Sequence, residues 1–124
     1  MLIQLLAIKR RRERGLRATL ATLADEQEAL RARQEALHAR RQALCEEWRR
    51  QAAQSGCFNH HQLAILRAYL ARLEGEDQAL KRELEGLARE RMQLAHTQAE
   101  HELRLTRTLR EQEKLTLLES ELDE

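Results

Sequence analysis

The sequence predicts an all-α protein folded as an antiparallel two-helix coiled-coil hairpin. Leucines recur at every seventh residue in two series, which are Leu16, Leu23, Leu30, Leu37 and Leu44, and then Leu66, Leu73, Leu80, Leu87 and Leu94. A seven-residue repeat kept over several turns is typical of helices that wind around a partner helix. The main break lies between the two series, in the stretch QSGCFN at 54–59. We therefore expect the second series to pair with the first within one chain.

The composition supports helices and argues against a compact mixed fold. The 124 residues include no proline, four glycines and three aromatic residues, and 35% of them are charged. The apolar residues are mostly leucine and alanine, which favour helix, and β-branched residues are scarce. The formal net charge of +1 gives the chain no overall field that would attract nucleic acid.

We expect residues 1–124 to form a single helical hairpin. Helix one should run over about 2–53, the turn over about 54–59 and helix two over about 60–122. Gly56 is a helix-ending residue, and Asn59 is a good N-cap for the second helix. Gly75 and Gly86 fall inside helix two, where each costs about 1 kcal/mol relative to alanine and marks a place where the helix could bend.

The heptads also predict a register in which apolar and mixed layers alternate. The expected pairs include Leu30 with Leu84, Trp48 with Leu66, Leu37 with Asp77, Arg41 with Leu73, and Glu13 with His101. Because many layers keep only one leucine, a polar side chain must reach water beside it. In this register residue 2 lies opposite residue 112, and the last dozen residues project beyond the start of helix one.

Two clusters are candidates for binding a partner. Leucines that have no partner leucine within the hairpin suggest a binding partner outside it. The basic cluster is either a solvated helix face or a docking surface for an acidic protein. The candidate residues are Lys9, Arg10, Arg11, Arg12, Arg14 and Arg17 in helix one, and Leu115, Leu117, Leu118 and Leu122 in the projecting segment.

Binding to DNA or to a membrane is less favoured. A basic region followed by leucines is the layout of a basic-zipper transcription factor. That layout needs an arm of base-reading side chains, and the only asparagine, Asn59, lies far from the cluster. The opening MLIQLLAIKRRRER is amphipathic but much shorter than the ~20 apolar residues that span a bilayer. We expect no nucleic acid and at most peripheral membrane contact.

Nothing in the sequence indicates catalysis, a metal site or a cofactor. Cys45, Cys57, His60 and His61 lie around the turn, but the two cysteines are about three helical turns apart, so neither a zinc site nor a disulfide is expected. There is no glycine-rich phosphate loop, and a two-helix hairpin should offer no concave pocket. The two cysteines and the absence of a signal-peptide pattern favour a cytoplasmic location. Because no catalytic motif is found, we expect that the protein is not an enzyme.

The chain resembles the YscO/FliJ family, the stalk proteins of type III secretion and flagellar export. It opens with leucines and a dense arginine run, continues as a leucine heptad to Trp48, and returns as a longer charged helix. The local similarity is greatest over Leu2 to Arg17 and Arg40 to Trp48.

The resemblance implies a helical hairpin that works as a non-enzymatic stalk or escort protein. Its implied partners are a hexameric secretion ATPase, the cytoplasmic domain of the export gate and, for some members, secretion chaperones. It also implies a cytoplasmic location, peripheral to the inner-membrane secretion apparatus, with the end that carries Lys9 to Arg17 and Leu115 to Leu122 facing the ATPase. The alternative is a homo-oligomeric coiled-coil scaffold or tether, in which the two leucine series pair between chains.

Overall fold

The computed structural model describes residues 1–54, 56 and 58–123, and it contains two long antiparallel α-helices in contact. Helix α1 spans Leu2–Ala52, with 51 residues, and helix α2 spans His60–Leu122, with 63 residues. Both helices end within one residue of the predicted bounds. The predicted fold class, a helical hairpin, is therefore confirmed.

The connection between the helices uses the predicted glycine and N-cap. Gly56 has a φ of 152°, a conformation that residues with a side chain rarely adopt. The Asn59 Oδ1 atom accepts a hydrogen bond of 2.7 Å from the backbone N–H of Gln62, and the Asn59 N–H donates to Gln62 Oε1 at 3.1 Å. This reciprocal pair caps the start of α2. The other turn residues named in the prediction, Ser55 and Cys57, lie outside the described residues.

Contacts divide the hairpin into two compact units. The terminal unit consists of Met1–Ala29 and Arg91–Glu124, and the turn unit consists of Leu30–Glu90. Each unit takes one segment from α1 and one from α2. The heptad leucines pack inside each unit, as the seven-residue spacing predicts.

The core of the turn unit is a leucine cluster. Leu37, Leu84 and Leu87 are buried in it, and Leu30 and Leu80 pack against it. Leu30 and Leu84, which were predicted to share a layer, therefore belong to the same cluster. Leu37 also joins this cluster, although the predicted register placed it two layers from Leu84. This indicates that the helices are displaced along each other by about one turn from the predicted register.

A charged pair in the turn unit is consistent with this displacement. Arg41 Nε donates to Asp77 Oδ1 at 2.8 Å, and its Nη2 donates to Oδ2 at 3.3 Å. The predicted register instead set Asp77 against Leu37 and Arg41 against Leu73, which would have left two half-buried charges beside leucine. Such charges need partners, and the bidentate contact satisfies both groups.

The Arg41–Asp77 contact predicts a loss of stability in acid. Its hydrogen bond lowers the pKa of Asp77 in the folded chain. The contribution is therefore present above the unfolded-state pKa of about 3.9 and is lost as the pH falls through the lowered folded-state value. Between about pH 6 and about pH 2.5, we expect the free energy of unfolding to fall further for the wild type than for Asp77→Asn. Urea unfolding followed by circular dichroism measures both, and equal losses would contradict the prediction.

The seam of the terminal unit mixes leucines with a polar network. Leu6 and Leu23 are buried, and Thr108 is only 3% exposed. Gln27 donates to the backbone carbonyl of Arg91 at 3.1 Å and accepts from the Arg91 guanidinium at 3.2 Å. Among the described residues, no buried side-chain nitrogen or oxygen atom lacks a hydrogen-bond partner. The polar positions predicted in the seam are thus accommodated without stranded polar atoms.

Candidate partner-binding site

The terminal unit brings together the two clusters that the sequence predicts as partner-binding. The basic cluster lies in its α1 segment, and the four candidate leucines lie in its α2 segment. Sequence separation between the clusters is about a hundred residues, so only the hairpin makes them neighbours. The geometry of this unit therefore defines the candidate site.

Two members of the basic cluster pair with acids of the same unit. Lys9 forms an ion pair with Glu111 of α2. Arg17 donates to Glu13, one turn earlier in α1, at 2.8 Å. Glu13 also accepts a hydrogen bond of 3.0 Å from Gln112. The predicted pair of Glu13 with His101 is wrong, because the Glu13 carboxylate is held by Arg17 and Gln112.

The remaining arginines of the cluster are exposed to solvent. Arg10, Arg11 and Arg12 are consecutive, so their side chains point in different directions around α1, whereas Arg14 is four residues from Arg10 and shares its face. Arg12 lies on the side of α1 where a groove is formed with α2. The structure thus separates Arg12 from Arg10 and Arg11, which the sequence treats as one run.

The groove has a volume of about 420 Å³ and is built from both helices of the terminal unit. Arg12 and Leu16 line it from α1, and Arg104, Arg107, Thr108 and Glu111 line it from α2. The two helices of this unit thus form an open groove, although the sequence predicted a hairpin with no concave pocket. Two of the lining arginines, Arg104 and Arg107, were not predicted as site residues. Their spacing from Glu111 by seven and four residues was the available signal that the three share one helix face.

The groove is electropositive in spite of the acid inside it. The hydrogen bond from Lys9 lowers the pKa of Glu111, and the charges of Arg12 and Arg107 lower it further. Glu111 is therefore ionised near neutral pH and neutralised by Lys9. Arg12, Arg104 and Arg107 form no ion pair with any residue that the structure describes. Their positive charges remain available to a bound group.

The four candidate leucines differ in exposure. Leu115 is half-buried, while Leu117 is 59%, Leu118 is 47% and Leu122 is 74% exposed. The Lys9–Glu111 contact shows that α2 is displaced in this unit too, since the prediction put residue 2 opposite residue 112. The projecting segment is therefore shorter than predicted, which explains why Leu115 is half covered. The other three leucines remain open to solvent.

A second groove, with a volume of about 580 Å³, lies in the turn unit. Leu44, Cys45, Trp48 and Leu73 are among its lining residues. Trp48 was predicted to fill an apolar layer against Leu66, but its side chain is 43% exposed.

The cysteine and histidine residues near the turn do not assemble in the described part of the chain. Cys45, His60 and His61 are exposed, and Cys57 lies outside the described residues. Over residues 1–54, 56 and 58–123, no group of three or more His, Cys, Asp or Glu residues is close enough to hold a metal ion. In the same residues, neither helix has a stretch apolar enough to cross a membrane.

Comparison with known proteins adds no family to this description. No protein-family model matches the chain, and no curated protein or solved structure matches it.

Proposed function

We propose that the protein is a non-enzymatic stalk of a type III secretion export apparatus, as its resemblance to the YscO/FliJ family implies. In this role it binds the hexameric export ATPase and the cytoplasmic domain of the export gate, and it could escort empty chaperones. Its location would be cytoplasmic, peripheral to the inner-membrane apparatus. The observation that carries the proposal is that one unit of a helical hairpin holds both the exposed arginines and the exposed leucines.

The two alternative functions would use the leucines and the basic residues differently. A homo-oligomeric scaffold built on these heptads needs the two leucine series to pair between chains, whereas the turn-unit series pack against each other within one chain. A basic-zipper DNA binder needs its leucines for dimerisation and its basic residues free for phosphates. Here Lys9 and Arg17 pair with carboxylates of the same chain, and Arg10, Arg11, Arg12 and Arg14 are the exposed members of the cluster.

Charge reversal of the exposed arginines tests the proposal. We expect Arg10→Glu/Arg11→Glu/Arg12→Glu to abolish binding to a purified hexameric export ATPase, because it replaces three exposed positive charges by negative ones. Binding is measured by surface plasmon resonance, and circular dichroism checks that helicity is unchanged.

The matched control changes three exposed arginines of the turn unit. Arg67→Glu/Arg82→Glu/Arg89→Glu makes the same change in net charge and should leave ATPase binding within about twofold of the wild type. Equal loss in both triple variants would show that net charge alone matters. A wild type that does not bind the ATPase, or light scattering that shows a dimer about twice as long as one hairpin, would overturn the proposed function.

A further inference from the structure

The groove of the terminal unit continues into apolar stripes on both helices. On α1, Met1, Leu5 and Ile8 precede Arg12 at spacings of four, three and four residues, which places them on the same helix face. All three side chains are exposed. The face that ends at the basic groove is therefore apolar toward the start of the chain.

The α2 side of the groove continues in the same way. Leu115, Leu118 and Leu122 follow Glu111 at spacings of four, three and four residues, and Glu111 follows Arg107 after four. This spacing keeps them on the face that lines the groove. Leu117 does not belong to this face, since it lies about 100° around the helix from Leu118. Leu118 and Leu122 are exposed and have no packing partner comparable to the buried leucines.

We propose that this two-helix groove binds a third helix, supplied by a partner protein, that is apolar along one part of its length and acidic along the other. The inference rests on the proposed function as a partner-binding stalk and specifies the chemistry of the partner. Its apolar part would cover Met1, Leu5, Ile8, Leu118 and Leu122. Its carboxylates would lie against Arg12, Arg104 and Arg107.

Charge complementarity selects an acidic helix over other occupants. Three exposed arginines face the groove, and its one carboxylate, Glu111, is neutralised by Lys9. Guanidinium groups bind carboxylates through paired hydrogen bonds. A helix laid into an apolar groove is read by side chains at spacings of three and four residues, which is the spacing of the stripes on both walls. A second copy of this chain laid groove to groove would offer the arginines only the groove's own lining, whose one carboxylate, Glu111, is paired with Lys9.

The test uses the full-length protein and a synthetic peptide as probe. The peptide is an amphipathic helix with leucines spaced three and four residues apart and glutamates along one half, and it carries a fluorescent label for anisotropy. A second peptide replaces every glutamate by lysine. We expect the acidic peptide to bind at least about tenfold more tightly than the basic one. Equal affinities would overturn the proposal.

Two pairs of variants locate the binding surface. Arg104→Glu should weaken binding of the acidic peptide about tenfold, whereas Arg110→Glu, with the same charge change outside the groove lining, should weaken it less than about twofold. Leu118→Gln should weaken it severalfold, and Leu117→Gln should not. Equal effects within either pair would overturn the proposal.

Self-association and ATPase binding give separate outcomes. If light scattering shows a dimer that Leu118→Gln disrupts and Leu117→Gln does not, the groove is occupied by a second copy and the proposed partner helix is wrong. If the acidic peptide fails to bind while the ATPase still binds, the groove proposal fails and the stalk function stands. If the peptide binds with the predicted variant pattern but the ATPase does not, the groove stands and the stalk function fails.

Discussion

Replacing Leu37 by alanine is expected to lower the free energy of unfolding by about 2–4 kcal/mol. Leu37 is 4% exposed and lies in the leucine cluster of the turn unit with Leu84 and Leu87. The substitution removes buried apolar surface and leaves a cavity that two long helices can close only in part. Since small proteins are stabilised by only about 5–15 kcal/mol, this single change would remove a large fraction of the total.

Urea unfolding followed by far-ultraviolet circular dichroism measures this loss. Leu103→Ala is the matched control, because it deletes the same atoms from a side chain that is 68% exposed. The control should change the free energy of unfolding by less than about 0.5 kcal/mol. Similar effects of the two substitutions would show that the heptad seam is open in solution, and the hairpin packing described above would then be wrong.

The fold could be predicted from the leucines because their seven-residue spacing can be read from the sequence without knowing which side chains meet. A leucine at every seventh residue, together with the Gly56 and Asn59 signals, determines two helices and the place where the chain turns. The described N-cap of α2 agrees with that prediction. These features are local in sequence, or repeat along it, and need no knowledge of which side chains meet.

The register could not be predicted in the same way. Leucine occurs on both helices at the same period, so sliding one helix by about a turn still leaves leucine against leucine in many layers. The choice depends on which leucines meet, as in the cluster of Leu37, Leu84 and Leu87, and on polar pairs such as Arg41 with Asp77. Such pairings are long-range and depend on how far each side chain can extend.

The candidate site was predictable only where its residues cluster in the sequence. The arginine run at 10–12 is conspicuous along the chain, but its members point to different sides of α1. Arg104 and Arg107 are ordinary members of a highly charged helix, and only the neighbouring α1 segment makes them walls of a groove with Arg12. A run of consecutive arginines therefore suggests more arginines on one helix face than the helix can place there. The rest of the site comes from residues of the opposing helix.

Replacing Gly15, Gly75 and Gly86 together by alanine is expected to raise the free energy of unfolding by about 2–3 kcal/mol. All three lie inside continuous helices, where alanine is favoured over glycine by about 1 kcal/mol. An added Cβ atom would meet no atom within 4 Å at Gly15 or Gly75, and at Gly86 only the Arg89 side chain at 3.9 Å, an ordinary contact. The three sites lie far apart along the helices, so their effects should add.

Gly56→Ala provides the internal control, because it makes the same chemical change at a position whose backbone conformation is unfavourable for alanine. At a φ of 152° a Cβ atom is strained even though nothing lies within 4 Å of it. This variant should lose about 1 kcal/mol or more, measured by the same urea unfolding. A triple variant no more stable than the wild type would mean that the helices bend or open at these glycines in solution. The long uninterrupted helices that position the arginines and leucines of the terminal unit would then be less regular than described here.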